Sequence, residues 1–181
     1  MRKSIKSLLV VLCVVAVFIS ITAFSTKSID VLGVAVTNNS SDASALPKAS
    51  QVSDYENAIA AMINNIRVAN GLNALAFDGS LNDVAKVRSQ DLIDRNYFSH
   101  YTPEGTNVFN LMKSMNVGYR YAGENLAQCA PASIGTPEAF LNAWMNSPTH
   151  MANILRAQYT LIGVSMVEID SRRVVTTVFT N

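Results

Sequence analysis

The chain contains two histidines, and both sit in short segments with the residue types of a site. These are Phe98-Ser99-His100 and Ser147-Pro148-Thr149-His150 leading to Asn153, with Gly123-Glu124-Asn125 between them in sequence. Imidazole titrates near neutrality and is the commonest metal ligand. If His100, Glu124 and His150 converge, they supply the His₂Glu composition of a three-ligand zinc site with one position left for water. The same residues would then serve a metal-dependent hydrolase through that water. Alternatively Glu124 stays off the metal and acts as a general base. Asn153 stands three residues beyond His150 and shares its helical face, so it can orient that ring or bind a ligand. Asn125 and Ser147 complete the polar set expected to line a cleft. Taken singly, a loop histidine hydrogen-bonds its own chain and a glutamate satisfies nearby amides; three together argue for a site.

Two other residues do not extend this chemistry. Cys129 has no cationic neighbour in sequence and reads as a small buried hydrophobe. Ser99 beside His100 is no triad, because sequence neighbours seldom reach the required geometry. Trp144 reads as core.

The elements that position these residues follow from caps and periodicity. Ser53-Asp54-Tyr55-Glu56 is a capping box, and Tyr55, Ile59, Met62, Ile63 and Ile66 repeat at helical spacing until Gly71. Ser80 and Asp83 suggest the start of a second helix running to about Arg95, and Thr106 the cap of a third. His100 falls in the loop between them. A strand is expected over 119–128, with Glu124, Leu126 and Gln128 on one side and Gly123, Asn125 and Ala127 on the other. Thr136-Pro137-Glu138 reads as N-cap, proline and acidic first turn of a fourth helix, and Ser147-Pro148 repeats the device, making His150 about the third helical residue. A hairpin over 161–169 and 174–179, turning at Asp170-Ser171-Arg172, closes the sheet. Helices followed by mixed strands and helices predict an α+β fold.

The organisation around this domain is legible in composition. Arg2, Lys3 and Lys6 precede an uncharged apolar run from Leu8 to Phe24, so residues 1–24 are expected to be a signal peptide or an N-terminal membrane anchor. Residues 25–51 read as a flexible polar linker, and 52–181 as one domain. Fourteen basic against 13 acidic residues give a net charge of +1, which argues against nucleic acid and confines membrane association to the N-terminal segment. Of two cysteines, Cys13 lies in the leader, so the domain has no internal disulfide and must be stabilised by burial. The expected location is extracellular or at the cell envelope.

Taken together and in order, Asn65-Ile66-Arg67 with Gly71-Leu72, Phe98-Ser99-His100, Gly123-Glu124-Asn125-Leu126, Trp144 with Ser147-Pro148, His150 and Asn153-Ile154-Leu155, and Ile162-Gly163-Val164 resemble the CAP superfamily, or SCP domain, in its bacterial extracellular branch. The resemblance spans about residues 54–181. It implies an α-β-α sandwich with a small antiparallel sheet between helical layers, and a central cleft lined by two His and two Glu that holds a divalent metal in some members. His100, Glu124 and His150 match three of those positions, while Ser147 stands where animal and plant members have the second Glu. Activities across the superfamily are diverse and rarely catalytic. The expectation is therefore a binding module for a small ligand, a lipid or an envelope fragment, with Zn²⁺ as the candidate metal. An envelope protein partner is a further expectation, and a peptidase-like hydrolase is the alternative.

Overall fold

The structure is a computed structural model that describes residues 53–181. The expected leader and linker, and residue 52 of the expected domain, lie outside the described residues. The elements run α1 (Asp54–Ala69), β1 (Ala76–Phe77), α2 (Gly79–Asp94), α3 (Val108–Ser114), β2 (Ala122–Cys129), a 3₁₀ turn (Ala132–Ile134), α4 (Pro137–Met145), α5 (Pro148–Ile154), β3 (Leu161–Ile169) and β4 (Arg172–Thr180). Strand order is β1-β3-β4-β2, so β2, which carries Glu124, is an edge strand.

Alternation along β4 shows how the layers form. Val175 and Phe179 join Ile59, Ile63, Leu141, Trp144 and Ile154 in one core, beneath α1, α4 and α5. Val178 faces α2 and α3, and Val174 packs with Leu92 and Ile93 of α2. The result is the expected α+β arrangement, helices on both faces of a small sheet. Each fully buried large apolar side chain contributes about 1.5–3 kcal/mol. In a domain whose single cysteine is free, that burial is the main source of stability. Gly163 is required by packing, since a Cβ there would overlap the backbone of Leu81 and Asn82 in the first turn of α2.

The capping box of α1 forms as its sequence indicates: Glu56 accepts from the Ser53 N–H at 2.9 Å, and its other oxygen accepts from the Met166 N–H at 2.9 Å. One buried carboxylate thus starts the helix and ties it to β3. Gly71, at φ 72°, supplies the left-handed residue after the helix.

Several boundaries differ from expectation for local reasons. The N-cap of α2 is Asp78, which accepts from the Leu81 N–H at 2.8 Å; the chain enters the helix directly from β1, leaving Ser80 inside it. The N-cap of α3 is Asn107, in a reciprocal box with Asn110, because the Thr106 hydroxyl is taken by Thr102 at 2.9 Å. Strand β2 starts at Ala122, since the N–H groups of Arg120 and Tyr121 turn to the side chain of Asn181 instead. Strand β4 starts at Arg172, because Asp170, at φ 54°, makes the hairpin turn tighter than expected. The sheet is antiparallel except for β1, two residues paired parallel to β3, too short to leave a periodic signal.

Candidate functional site

The site is assembled around a carboxylate that the edge strand carries into the α2 layer. Glu124 is 6% exposed, and opposite it Arg88 projects from the buried face of α2, itself 2% exposed. Arg88 Nε donates to Glu124 Oε1 at 3.1 Å. The remaining guanidinium nitrogens continue into the His100 loop, with Nη1 donating to the Tyr97 hydroxyl at 2.5 Å and Nη2 to the Ser99 carbonyl. Tyr97 in turn donates to Asp91. A buried charge needs compensation of this kind, because desolvation costs several kcal/mol per ion.

His100 stands at the other side of the carboxylate, Nδ1 at 2.6 Å from Glu124 Oε2. A carboxylate held by a guanidinium accepts, so Nδ1 carries the proton and donates, and Nε2 is left as an acceptor on a ring that stays half exposed. Both ends of His100 are therefore fixed: the ring by Glu124 and the backbone before it by Arg88.

The opposite face of β2 is joined to α5. Asn153 Nδ2 donates to the Glu124 carbonyl at 3.1 Å and to Asn125 Oδ1 at 2.9 Å, and Asn125 Nδ2 donates to the His150 carbonyl at 3.1 Å. Asn153 thus holds helix to strand and does not orient the His150 ring. Farther along the same edge Trp144 Nε1 donates to the Leu126 carbonyl at 3.0 Å, so core tryptophan and α5 asparagine together cover carbonyls of an edge strand. His150 is the third residue of α5, as expected. Burial, and secondarily the charge of nearby His100, push its pKa below the ordinary histidine value. Ser147 occupies the N-cap position of α5 without capping; its hydroxyl meets that of Thr149 at 3.3 Å.

A cavity of about 350 Å³ opens in front of His100 and Glu124, walled by Gly123, Asn153, Arg156 and Tyr159 on one side and by Tyr101 and Phe109 on the other. Arg67 builds part of that wall from behind. It is 1% exposed and donates to the carbonyls of Asn73 (2.9 Å), Ile154 (2.8 Å), Arg156 (3.0 Å) and Tyr159 (3.2 Å).

A zinc ion ligated by His100, Glu124 and His150 together does not fit this arrangement. Both Glu124 oxygens are engaged, one by Arg88 and one by His100, and among the described residues no group of three His, Cys, Asp or Glu side chains is placed to hold a metal. The same engagement leaves Glu124 poorly disposed to act as a base. Cys129 is remote from this chemistry: its thiol faces the Ala132 carbonyl at 3.9 Å, and burial pushes its pKa up. Arg88, Arg156 and Tyr159 escaped the sequence reading. Arg88 had left a sign, a charged residue in register with Leu81, Val84, Ala85 and Leu92 on the apolar face of α2; the other two had none.

Comparison with known proteins identifies the family and the fold. The profile described as "Cysteine-rich secretory protein family" (CAP) matches residues 60–180. Two Bacillus subtilis proteins are similar: the uncharacterized protein YkwD, 42% identical over 122 residues, 67% of this chain and 46% of that protein, and the uncharacterized membrane protein YlbC, 32% identical over 111 residues, 61% of this chain and 31% of that protein. The chain thus matches less than half the length of either. Among solved structures, an extracellular SCP-domain protein of Bacillus anthracis superposes with a TM-score of 0.59 at 34% identity, covering 70% of this chain and 40% of the other. An outer surface protein of Borrelia burgdorferi shares the fold, with a TM-score of 0.62 at 22% identity over 68% of this chain and 89% of that one.

Proposed function

The chain belongs to the cysteine-rich secretory protein (CAP) family, and from that premise we propose that it is an extracellular or envelope-displayed binding module whose cleft takes a small ligand. The observation that carries this reading is the pairing of Glu124 with both Arg88 and His100 beside an open cavity of about 350 Å³. That volume lies in the range of small-molecule sites. The carboxylate is a positioning group: it sets the tautomer of His100 and presents Nε2 to the cavity, the role of a carboxylate behind a ligand-facing imidazole. Neither a nucleophile with an adjacent base nor an unengaged carboxylate faces the cavity among the described residues. Location outside the cell is supported by the B. anthracis relative, described as extracellular, and by the apolar leader sequence. Two imidazoles without a third ligand fall short of the three or four protein ligands that zinc sites ordinarily have.

Amide chemical-shift mapping on the full chain, with a panel of envelope glycan fragments, fatty acids and phospholipid headgroups, tests the reading. Saturable shifts confined to Gly123, Asn153, Arg156 and Tyr159 are expected for at least one probe, with no turnover of peptide or ester substrates. Turnover lost in Glu124→Gln would instead establish the hydrolase.

A further inference from the structure

The cleft holds groups whose bonding capacity is unused. The Tyr159 hydroxyl is buried and has no hydrogen-bond partner of ordinary geometry among the described residues, with the Arg156 side chain as its neighbouring cation. It ends against Gly123, in the wall of the cavity, where a Cβ in place of the glycine hydrogen would overlap it. Arg156 lies beside it, its guanidinium 5.5 Å from the Tyr159 ring centre and 5.3 Å from that of Tyr121. These rings hold the guanidinium in place, and Arg67 fixes its backbone, yet Arg156 makes no ion pair among the described residues. Asn153 spends its amide nitrogen on β2 and keeps Oδ1, also directed at Gly123, as an acceptor. The opposite wall carries exposed aromatic rings, Tyr101 at 58% and Phe109 at 39%.

We propose that this cleft binds an acidic saccharide, a pyranose bearing a carboxylate, with Arg156 and the Tyr159 hydroxyl on the carboxylate and Asn153 Oδ1 on a ring hydroxyl or amide. The inference rests on the binding reading above and names its ligand class. A guanidinium beside a desolvated hydroxyl is a carboxylate receptor, since charge-assisted hydrogen bonds are the stronger kind. A simple fatty acid would satisfy the donors but leave Asn153 Oδ1 and His100 Nε2 without a partner; a sugar supplies O–H and N–H groups for both. Exposed aromatic rings offer broad, rigid faces to the C–H surface of a pyranose. A carboxylate in the cleft would meet both the Tyr159 hydroxyl and the guanidinium of Arg156 beside it.

N-acetylmuramic acid and N-acetylglucosamine share a ring and an amide and differ by a lactyl carboxylate; lactate supplies the carboxylate alone. Titrated into the full chain by chemical-shift mapping, with palmitate as a fourth probe, the acidic sugar is expected to bind at least tenfold more tightly than the neutral sugar or lactate. Arg156→Gln should abolish that preference. Tyr159→Phe should weaken acidic-sugar binding several-fold while leaving the thermal midpoint unchanged or raised, because the hydroxyl makes no hydrogen bond of ordinary geometry in the free protein. Equal binding of the two sugars, a preference that survives Arg156→Gln, or cleft shifts with palmitate alone would overturn the acidic-sugar inference and leave the binding reading standing. Silence of the cleft toward all probes of this and the wider panel overturns both. A lowered midpoint in Tyr159→Phe would show that the hydroxyl works within the fold, and would remove it from the proposal.

Discussion

Glu124 shows how a residue of the expected type can have an unexpected task. Its place beside Gly123 and its likeness to a metal ligand were legible in sequence; that Arg88 and His100 would occupy both its oxygens was not, because these partners lie 36 and 24 residues away, in a helix and a loop of the opposite layer. Removing one member of a buried ion pair leaves an uncompensated charge, so Arg88→Met should cost about 3–5 kcal/mol in urea unfolding, and Arg88→Met combined with Glu124→Leu should recover most of that loss. Failure of the double variant to recover would mean that the pair contributes through contacts other than its charges. His150 gives a pH signature. Its folded pKa is lowered, by burial first and the charge of His100 second, so the unfolded chain binds its proton more readily. The stabilising contribution is therefore present above the unfolded value of about 6.5 and is lost as pH falls below it. Unfolding free energy should decline below that pH less steeply in His150→Gln than in the native chain; equal slopes would show that His150 is not the group responsible.

Caps and periodicity revealed the elements more faithfully than their ends. The box at Ser53 and Glu56 and the Thr136-Pro137 start of α4 form as read, because every participant lies within one turn. The starts of α2 and α3 moved by one or two residues where a neighbouring strand or a Thr102–Thr106 contact competed for the cap. Strand β1 went unseen because two residues carry no period and its pairing with β3 is long-range. The segment between α5 and β3 has no regular structure of its own and is held by three hydrogen bonds from Arg67, to the carbonyls of Ile154, Arg156 and Tyr159, while a fourth goes to Asn73. Arg67→Met should therefore cost about 3 kcal/mol or more, the scale of a broken buried network, and Arg67→Lys should restore little, since an ammonium lacks the planar fork that reaches these acceptors. Thermal unfolding of the pair checks this; full rescue by lysine would show that positive charge alone suffices.

At the scale of the molecule, the layers were legible and much of the cavity wall was not. Apolar alternation specifies which face of each strand is buried, and the family resemblance supplied the sandwich. The cavity wall, by contrast, depends on Arg156 and Tyr159, brought to β2 only when Arg67 folds the chain after α5 back against α1. In the proposed function, the scaffold presents one fixed imidazole, one cation and several polar groups to a small ligand. That Glu124 positions His100 and does not itself react is tested by ¹⁵N NMR of the His100 ring nitrogens in the full chain near pH 8. The neutral ring should carry its proton on Nδ1, and Glu124→Gln should shift the population away from that tautomer. A ring protonated on Nε2, or one indifferent to Glu124→Gln, would show that Glu124 does not position His100.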